Sequence, residues 1–229
     1  MDHDRGTWKS QEMMYGLAKR LTDIVLSLLS IIILSPLMLM VVVMIKISSS
    51  GPVLYKGVRA GINGSVFKIW KFRTMVVNAE KLGGHSTAID DPRFTPVGRI
   101  LRKYKIDELP QFFNVLFGDM SFVGPRPQVL FYTDKYVGEE KLMLSVRPGI
   151  TDLASLYFSD MDAVLGSGDV DARYMTEVEP IKNSLRLRYV KERSYWMDLM
   201  ILIETAMRMI GLQNVTGLDV SPKKEMSND

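Results

Sequence analysis

The strongest constraint in this sequence is Ile24–Ile47, a run of 24 residues whose only charge is Lys46. As a straight helix it would extend roughly 36 Å, enough to cross a hydrocarbon core of about 30 Å. A secretory signal fits poorly, because the apolar part is too long and no small-residue cleavage site follows it. The chain therefore carries a membrane segment. Ser35-Pro36 falls at its centre, where proline removes a backbone donor and kinks a helix. Ser30 and Ser27 lie about one and two turns earlier and can satisfy freed backbone groups. Both flanks are basic: Arg5, Lys9, Lys19 and Arg20 on one side, Lys46, Lys56, Arg59, Lys68, Lys71 and Arg73 on the other. A single span wants asymmetric flanks. The residues alone leave a kinked span and a re-entrant turn equally open.

Composition removes several chemistries. There is no cysteine, and the two histidines, His3 and His85, are far apart in sequence. Disulfides, thiolate sites and histidine clusters are excluded, and a Ser-His-Asp triad is implausible. Any metal must be held by oxygen, which favours a magnesium-like ion over zinc. Neither G-x-x-x-x-G-K-[ST] nor G-x-G-x-x-G occurs. A formal charge of +3 over 229 residues suits an anionic lipid surface or a phosphorylated substrate, and is too weak for a nucleic-acid module.

The rest reads as an α+β chain, mostly helical. Residues 1–18 are a polar, loosely specified segment, 19–50 the membrane helix, 51–212 a catalytic domain and 213–229 a flexible tail. Val53–Val58 and Val66–Phe72 are β-rich and flank Asn63-Gly64, a hairpin signal. Lys71 and Arg73 either stand beside phosphates or decorate a solvated edge strand. Met75–Leu82 has helical spacing and ends at Gly83-Gly84. Val97–Lys105 is expected as a short helix with Ile100, Leu101 and Tyr104 on one face. Pro110–Phe117 is expected as another, with proline in the first turn and Gly118 as terminator. Gln128–Ser145 carries a further helix, Leu153–Phe158 suits a strand, and Ser159–Asp171 is an acidic loop. Ile181–Leu212 reads as one long helix whose second half is amphipathic. Tyr195-Trp196 would anchor it at a membrane interface, with core packing as the rival reading.

One stretch concentrates charge. Arg99, Arg102, Lys103 and Lys105 precede the paired acids Asp107 and Glu108, and Pro125-Arg126-Pro127 returns a rigid cation. The bland reading is a surface helix laced with ion pairs. The sharper one is a site for an anionic substrate and a divalent metal. Adjacent carboxylates point apart on most backbones, so they suit divided roles: one attacks phosphorus, the other holds a metal or handles a proton.

From about Lys19 to Thr151 the chain resembles the bacterial sugar transferase family of monotopic phosphoglycosyl transferases. The matching pieces are Lys19-Arg20 with Asp23, Ser35-Pro36, Lys71-Phe72-Arg73-Thr74-Met75, Asp91-Pro92-Arg93 and Arg102. They continue through Asp107-Glu108-Leu109-Pro110, Gly118-Asp119-Met120-Ser121, Gly124-Pro125-Arg126-Pro127 and Arg147-Pro148-Gly149-Ile150-Thr151. The resemblance implies transfer of sugar-1-phosphate from a UDP-sugar to undecaprenyl phosphate, with UMP released and Mg2+ required. By it Asp107 would be the nucleophile forming a phosphosugar-enzyme intermediate. Glu108 would hold magnesium or assist the lipid phosphate. Arg102, Arg126 and Arg147 would grip phosphates, with Lys71 a weaker candidate, and Pro125 and Pro127 would fix the loop. The membrane helix would be re-entrant, broken at Ser35-Pro36, with Lys19, Arg20 and Asp23 where it meets the bilayer. The active site would lie at the membrane surface, on the cytoplasmic face of the bacterial inner membrane, among membrane lipids. Nucleic acid is not implied, and homo-oligomerisation is left open. The chain resembles the small, single-domain form, and it departs from the family pattern at Asp152-Leu153-Ala154-Ser155. A non-catalytic membrane-surface scaffold is the rival, but it gives no reason for Asp107-Glu108 beside Arg102 and Arg126.

Overall fold

The computed structural model describes residues 2–79, 82, 91–158 and 174–222. Gly83-Gly84, the Ser159–Asp171 loop and the last seven residues of the expected tail lie outside them. The first element, α1, is one helix over Asp2–Ser48. The polar segment 1–18 is therefore helical from Asp2, and the helix runs on through Ser35-Pro36. Ser27 Oγ donates to Ile24 O at 3.0 Å, and Ser35 Oγ donates to Ile32 O at 2.9 Å.

Both arms of α1 are fastened to the same body. On the first arm, Lys19 Nζ meets Asp198 Oδ2 at 2.7 Å. Arg20 donates to Val115 O and Leu116 O, and Asp23 accepts from Ser121 Oγ and Phe122 N. On the second arm, Val41 and Ile45 are buried against Phe72 and Leu101. Between and around these contacts Leu28, Leu29, Ile32, Ile33, Leu39, Met40 and Val43 are exposed. Apolar surface of that extent marks a membrane or partner contact.

Strands β1 (Leu54–Ala60) and β2 (Val66–Phe72) form the expected hairpin, in register Leu54↔Phe72 through Ala60↔Val66. The turn takes positive φ at Asn63 and Gly64, which these two residues tolerate best. The expected helix at Met75 is not formed. Met75 instead bridges Phe94 as an isolated antiparallel pair, and Asn78 turns with φ 63. Tertiary pairing wins over local helical spacing there.

Helix α2 (Pro96–Lys103) is capped by Thr95 Oγ1, which accepts from Gly98 N at 2.9 Å. Only Leu101 of the expected apolar face is buried; Ile100 and Tyr104 are exposed. Helix α3 (Gln111–Phe117) follows and ends at Gly118 in the left-handed region, φ 95. Strands β3 (Ser121–Val123) and β4 (Gly149–Thr151) pair in parallel. A Cβ at Gly149 would lie 2.1 Å from Gly124 N, so this crossing requires glycine. In place of one helix over 128–145 there is a single turn, α4 (Leu130–Thr133), and a 3-10 stretch, Gly138–Ser145. The expected strand over 153–158 is instead α5 (Leu153–Tyr157), because Asp152 caps it by accepting from Ser155 N at 2.6 Å.

The long C-terminal helix is two helices, α6 (Glu179–Glu192) and α7 (Tyr195–Met209), broken at Arg193-Ser194. Ser194 Oγ caps the second by accepting from Met197 N. Val123, Leu153, Leu156, Leu185, Tyr189, Met197 and Ile201 form the largest buried apolar cluster. Helix α7 packs on the core as the rival reading expected, with Met197 and Ile201 facing it, while Tyr195, Trp196, Leu199 and Ile203 are exposed. Residues 213–222, read from composition as tail, are held in place. The buried Glu204 carboxylate accepts from Asn214 N at 2.7 Å and Thr216 N at 3.1 Å, and Leu218 and Val220 pack on the core.

Glu204→Leu is expected to cost about 3 kcal/mol or more, because buried backbone donors and Arg208 lose their acceptor. Thermal unfolding in detergent checks the loss, and limited proteolysis should cut near residue 213 in the variant alone.

Candidate active site

The acid pair sits on a 3-10 turn, Ile106–Glu108, entered through Lys105 at φ 56. Ile106 before the pair and Leu109 after it pack on the cluster of Val41, Ile45, Phe72 and Leu101. The carboxylates thus stand on a turn seated on the apolar cluster that α1, β2 and α2 build together.

From β2, Lys71 Nζ donates to Glu108 Oε1 at 2.7 Å. From the Pro125–Pro127 loop, the Arg126 guanidinium donates to the same oxygen. Burial pushes the Glu108 carboxyl up, but Arg126 and Lys71 outweigh it and hold the group well below the usual carboxylate range. Glu108 is therefore ionised at any working pH. Asp107 is the opposite case. Burial pushes its carboxyl up to about 6, with the Glu108 charge adding to the rise and Lys71, Arg126 and Arg102 opposing it. Of the two acids it is the one whose charge state changes nearer neutrality. Arg102 stands over the Phe94 ring at 4.9 Å, within electrostatic reach of Asp107.

The structure brings together Lys71, Arg102, Asp107, Glu108 and Arg126. It places Arg147 elsewhere. Arg147 Nε donates to Gly118 O at 2.9 Å, and its side chain lines a cavity of about 210 Å3 with Lys19, Arg20 and Asp23. Arg73 is not beside the acids either. It is buried and donates to Ser50 O at 2.7 Å and Ser49 O at 3.0 Å, closing the chain after α1. Asp91 and Arg93 form a buried ion pair at 2.6 Å that shapes the loop before α2. Pro125 and Pro127 flank Arg126, whose own N–H donates to Asp152 Oδ2 at 3.0 Å. Asp152 escaped the sequence reading as a functional residue. The signal was the Asp-x-x-Ser spacing of an N-cap, hidden inside a stretch read as strand.

Among the described residues no three His, Asp or Glu side chains form a metal cage. Magnesium does not need one. It is commonly held by one or two carboxylates plus waters and substrate phosphates. Glu108 fits this pattern as a single ionised carboxylate, with both cations meeting the same oxygen, Oε1.

Two acids stand side by side here, one of them gripped by cations, on a turn packed on the same apolar cluster as the long apolar helix. The comparison with known proteins gives the family: the chain belongs to the bacterial sugar transferases, which match it over residues 14–211. It is 38% identical over 193 residues to a UDP-glucose:undecaprenyl-phosphate glucose-1-phosphate transferase of Klebsiella pneumoniae, covering 83% of this chain and 39% of that protein. It is 38% identical over 198 residues to a UDP-N-acetylgalactosamine-undecaprenyl-phosphate N-acetylgalactosaminephosphotransferase of Aeromonas hydrophila, covering 84% and 43%. An exopolysaccharide production protein, ExoY, of Sinorhizobium fredii is 36% identical over 205 residues, covering 83% and 84%. The chain thus spans about two fifths of the first two relatives and most of the third.

Because Lys71 opposes the rise at Asp107, Lys71→Met is expected to move that carboxyl further above its present value of about 6. A carbon-13 NMR titration of labelled, metal-free protein in detergent checks this. An unchanged or lower midpoint would contradict the assignment of Lys71 to this cluster.

Proposed function

We propose that the chain transfers sugar-1-phosphate from a UDP-sugar to undecaprenyl phosphate, the first membrane step in assembling a glycan. The observation that carries the reading is the division of roles in the acid pair: Glu108 locked ionised by Lys71 and Arg126, Asp107 beside it with no such lock. Family membership and the activities of the relatives supply the substrate classes.

Asp107, deprotonated, attacks the β-phosphorus of the UDP-sugar. The bond from that phosphorus to the bridging oxygen breaks, and UMP leaves with the oxygen and its electron pair. The product on the protein is an aspartyl phosphosugar. An oxygen of the lipid phosphate then attacks the same phosphorus and returns the Asp107 carboxylate. One phosphoanhydride is exchanged for another, so no outside energy source is needed. Arg126 and Lys71 hold Glu108 and, with Arg102, set positive charge around the reacting phosphoryl group. Glu108 is the ligand proposed for Mg2+, which when bound would neutralise phosphate charge. Neutral pH suits the nucleophile, since a carboxyl at about 6 is mostly ionised there.

One substrate is soluble and the other is lipid, so the site belongs at a membrane surface. We read α1 as re-entrant, with both ends on the cytoplasmic face of the inner membrane. Support comes from its two arms, which are fastened to one body at Lys19–Asp23 and at Val41–Ile45. A perpendicular span with that body on one side would leave one of those contacts unmade. A pure scaffold would gain nothing from a buried, charge-gripped acid pair.

Detergent-solubilised protein with magnesium, undecaprenyl phosphate and a panel of UDP-sugars is expected to release UMP. Asp107→Asn should abolish turnover and Glu108→Gln impair it strongly; full activity in Asp107→Asn would sink the covalent mechanism. Cysteines placed near residues 10 and 60 should both be labelled from the cytoplasmic side. Labelling from opposite sides would refute re-entry.

A further inference from the structure

The triplet Pro125-Arg126-Pro127 has one backbone donor, because neither proline carries an N–H. That donor, Arg126 N, goes to the side chain of Asp152 at 3.0 Å. Asp152 is fully buried. Its other oxygen caps α5 by accepting from Ser155 N at 2.6 Å, and Arg186 Nε lies 3.9 Å from the first. The loop is laced to the same neighbouring segment by Gly124 N to Thr151 O and Gly149 N to Pro125 O, both at 3.0 Å. The parallel pairing of β3 and β4 ends at Val123↔Thr151. Beyond it, the Asp152 carboxylate takes over the backbone's part and pins the next free N–H of the loop. The guanidinium of that pinned residue is the one that grips Glu108.

We infer that Asp152 is a positioning residue of the active site, which fixes the Arg126 peptide so that its guanidinium meets the acid pair. Asp152 touches neither acid and acts through Arg126. Arg186, Asp152, Arg126 and Glu108 alternate in charge from the buried face of α6 to the acid pair, so each buried ion has an opposite neighbour. The competing role is a cap for α5 and nothing more. The two roles separate by reach: serine at 152 retains a good cap but is a carbon shorter and uncharged, so it abandons Arg126 N.

This inference rests on the transferase reading. The test is UMP release by the full chain in detergent, with magnesium, undecaprenyl phosphate and a UDP-sugar that the wild type turns over. Asp152→Ser is expected to lower kcat on the order of 10–100-fold with the KM for the UDP-sugar little changed, the scale of a small misplacement at a reacting centre. Its thermal midpoint should stay near that of the wild type. Asp152→Asn, which keeps an oxygen within reach, should recover part of kcat. In an Arg126→Lys background, Asp152→Ser should cost less than it does in the wild type, because both act through one group. Wild-type kcat in a folded Asp152→Ser protein would overturn the inference, as would full additivity with Arg126→Lys. If Asp152→Ser fails to fold, a folded Asp152→Gly, which has no acceptor for Arg126 N and is still tolerated at an N-cap, does the same with wild-type kcat, and failure of both to fold makes Asp152 a fold residue only. An inactive wild type across all sugars would instead overturn the transferase reading, and this inference with it.

Discussion

The structure depends on one apolar cluster, in which Val41 and Ile45 of α1 meet Phe72 and Leu101 and on which Ile106 and Leu109 of the acid turn pack. Through it the long apolar helix and the acid pair share one anchor. Burying two side chains of this size gains about 1.5–3 kcal/mol each, more than a surface ion pair supplies. Phe72 of β2 and Leu101 of α2 enter the same cluster, so hairpin, helix and acid turn share a single anchor. Lys71 precedes Phe72 on the strand and reaches Glu108 because its neighbour is fixed there. The position of the long helix and the geometry of the site follow from one packing cluster.

Once the turn is seated, its two carboxylates meet different surroundings. Glu108 lies between Lys71 and Arg126, and their fields overcome the cost of burial. Asp107 is desolvated without a comparable partner at bonding distance, and burial wins there. Adjacent residues of like chemistry are thereby separated in proton affinity. Such a separation lets one acid serve as a permanent charge and its neighbour as a reacting group. The positive groups that achieve it come from β2 and from a loop fixed by β4, far apart in sequence.

That distance marks what the sequence made legible. The hairpin was readable because Asn63-Gly64 states its turn locally, and α3 because Pro110 and Gly118 bracket it. The breaks at Ser194 and Asp152 were not, since apolar spacing continues across both and only a side-chain cap interrupts it. Met75 was misread for the opposite reason: its partner, Phe94, is a tertiary one that no local window contains. The acid pair stood out as a motif, and its setting among cations was visible at Arg102 and Arg126. Its pairing with Lys71 spans 37 residues and was not read; Lys71 was weighed only as a phosphate contact or as part of a solvated edge strand. Arg147 was grouped with the phosphate grips on motif order, yet its guanidinium bonds Gly118 O. Motif order carries family membership, not direction of side chains.

The two arms of α1 are held by different physics, and the difference has a consequence. The second arm is held by apolar burial, which is strong but tolerates small slides and rotations. The first is held by directed bonds: Lys19 to Asp198, Arg20 to two carbonyls at the end of α3, and Asp23 to Ser121 and Phe122. Directed bonds add less energy and fix register. Arg20 reads the end of α3 and Asp23 the start of β3, the two elements between the acid turn and the Arg126 loop. A shift of the helix along its axis would therefore strain both sides of the site together. The apolar helix is thereby tied to both elements that connect the acid turn with the Arg126 loop.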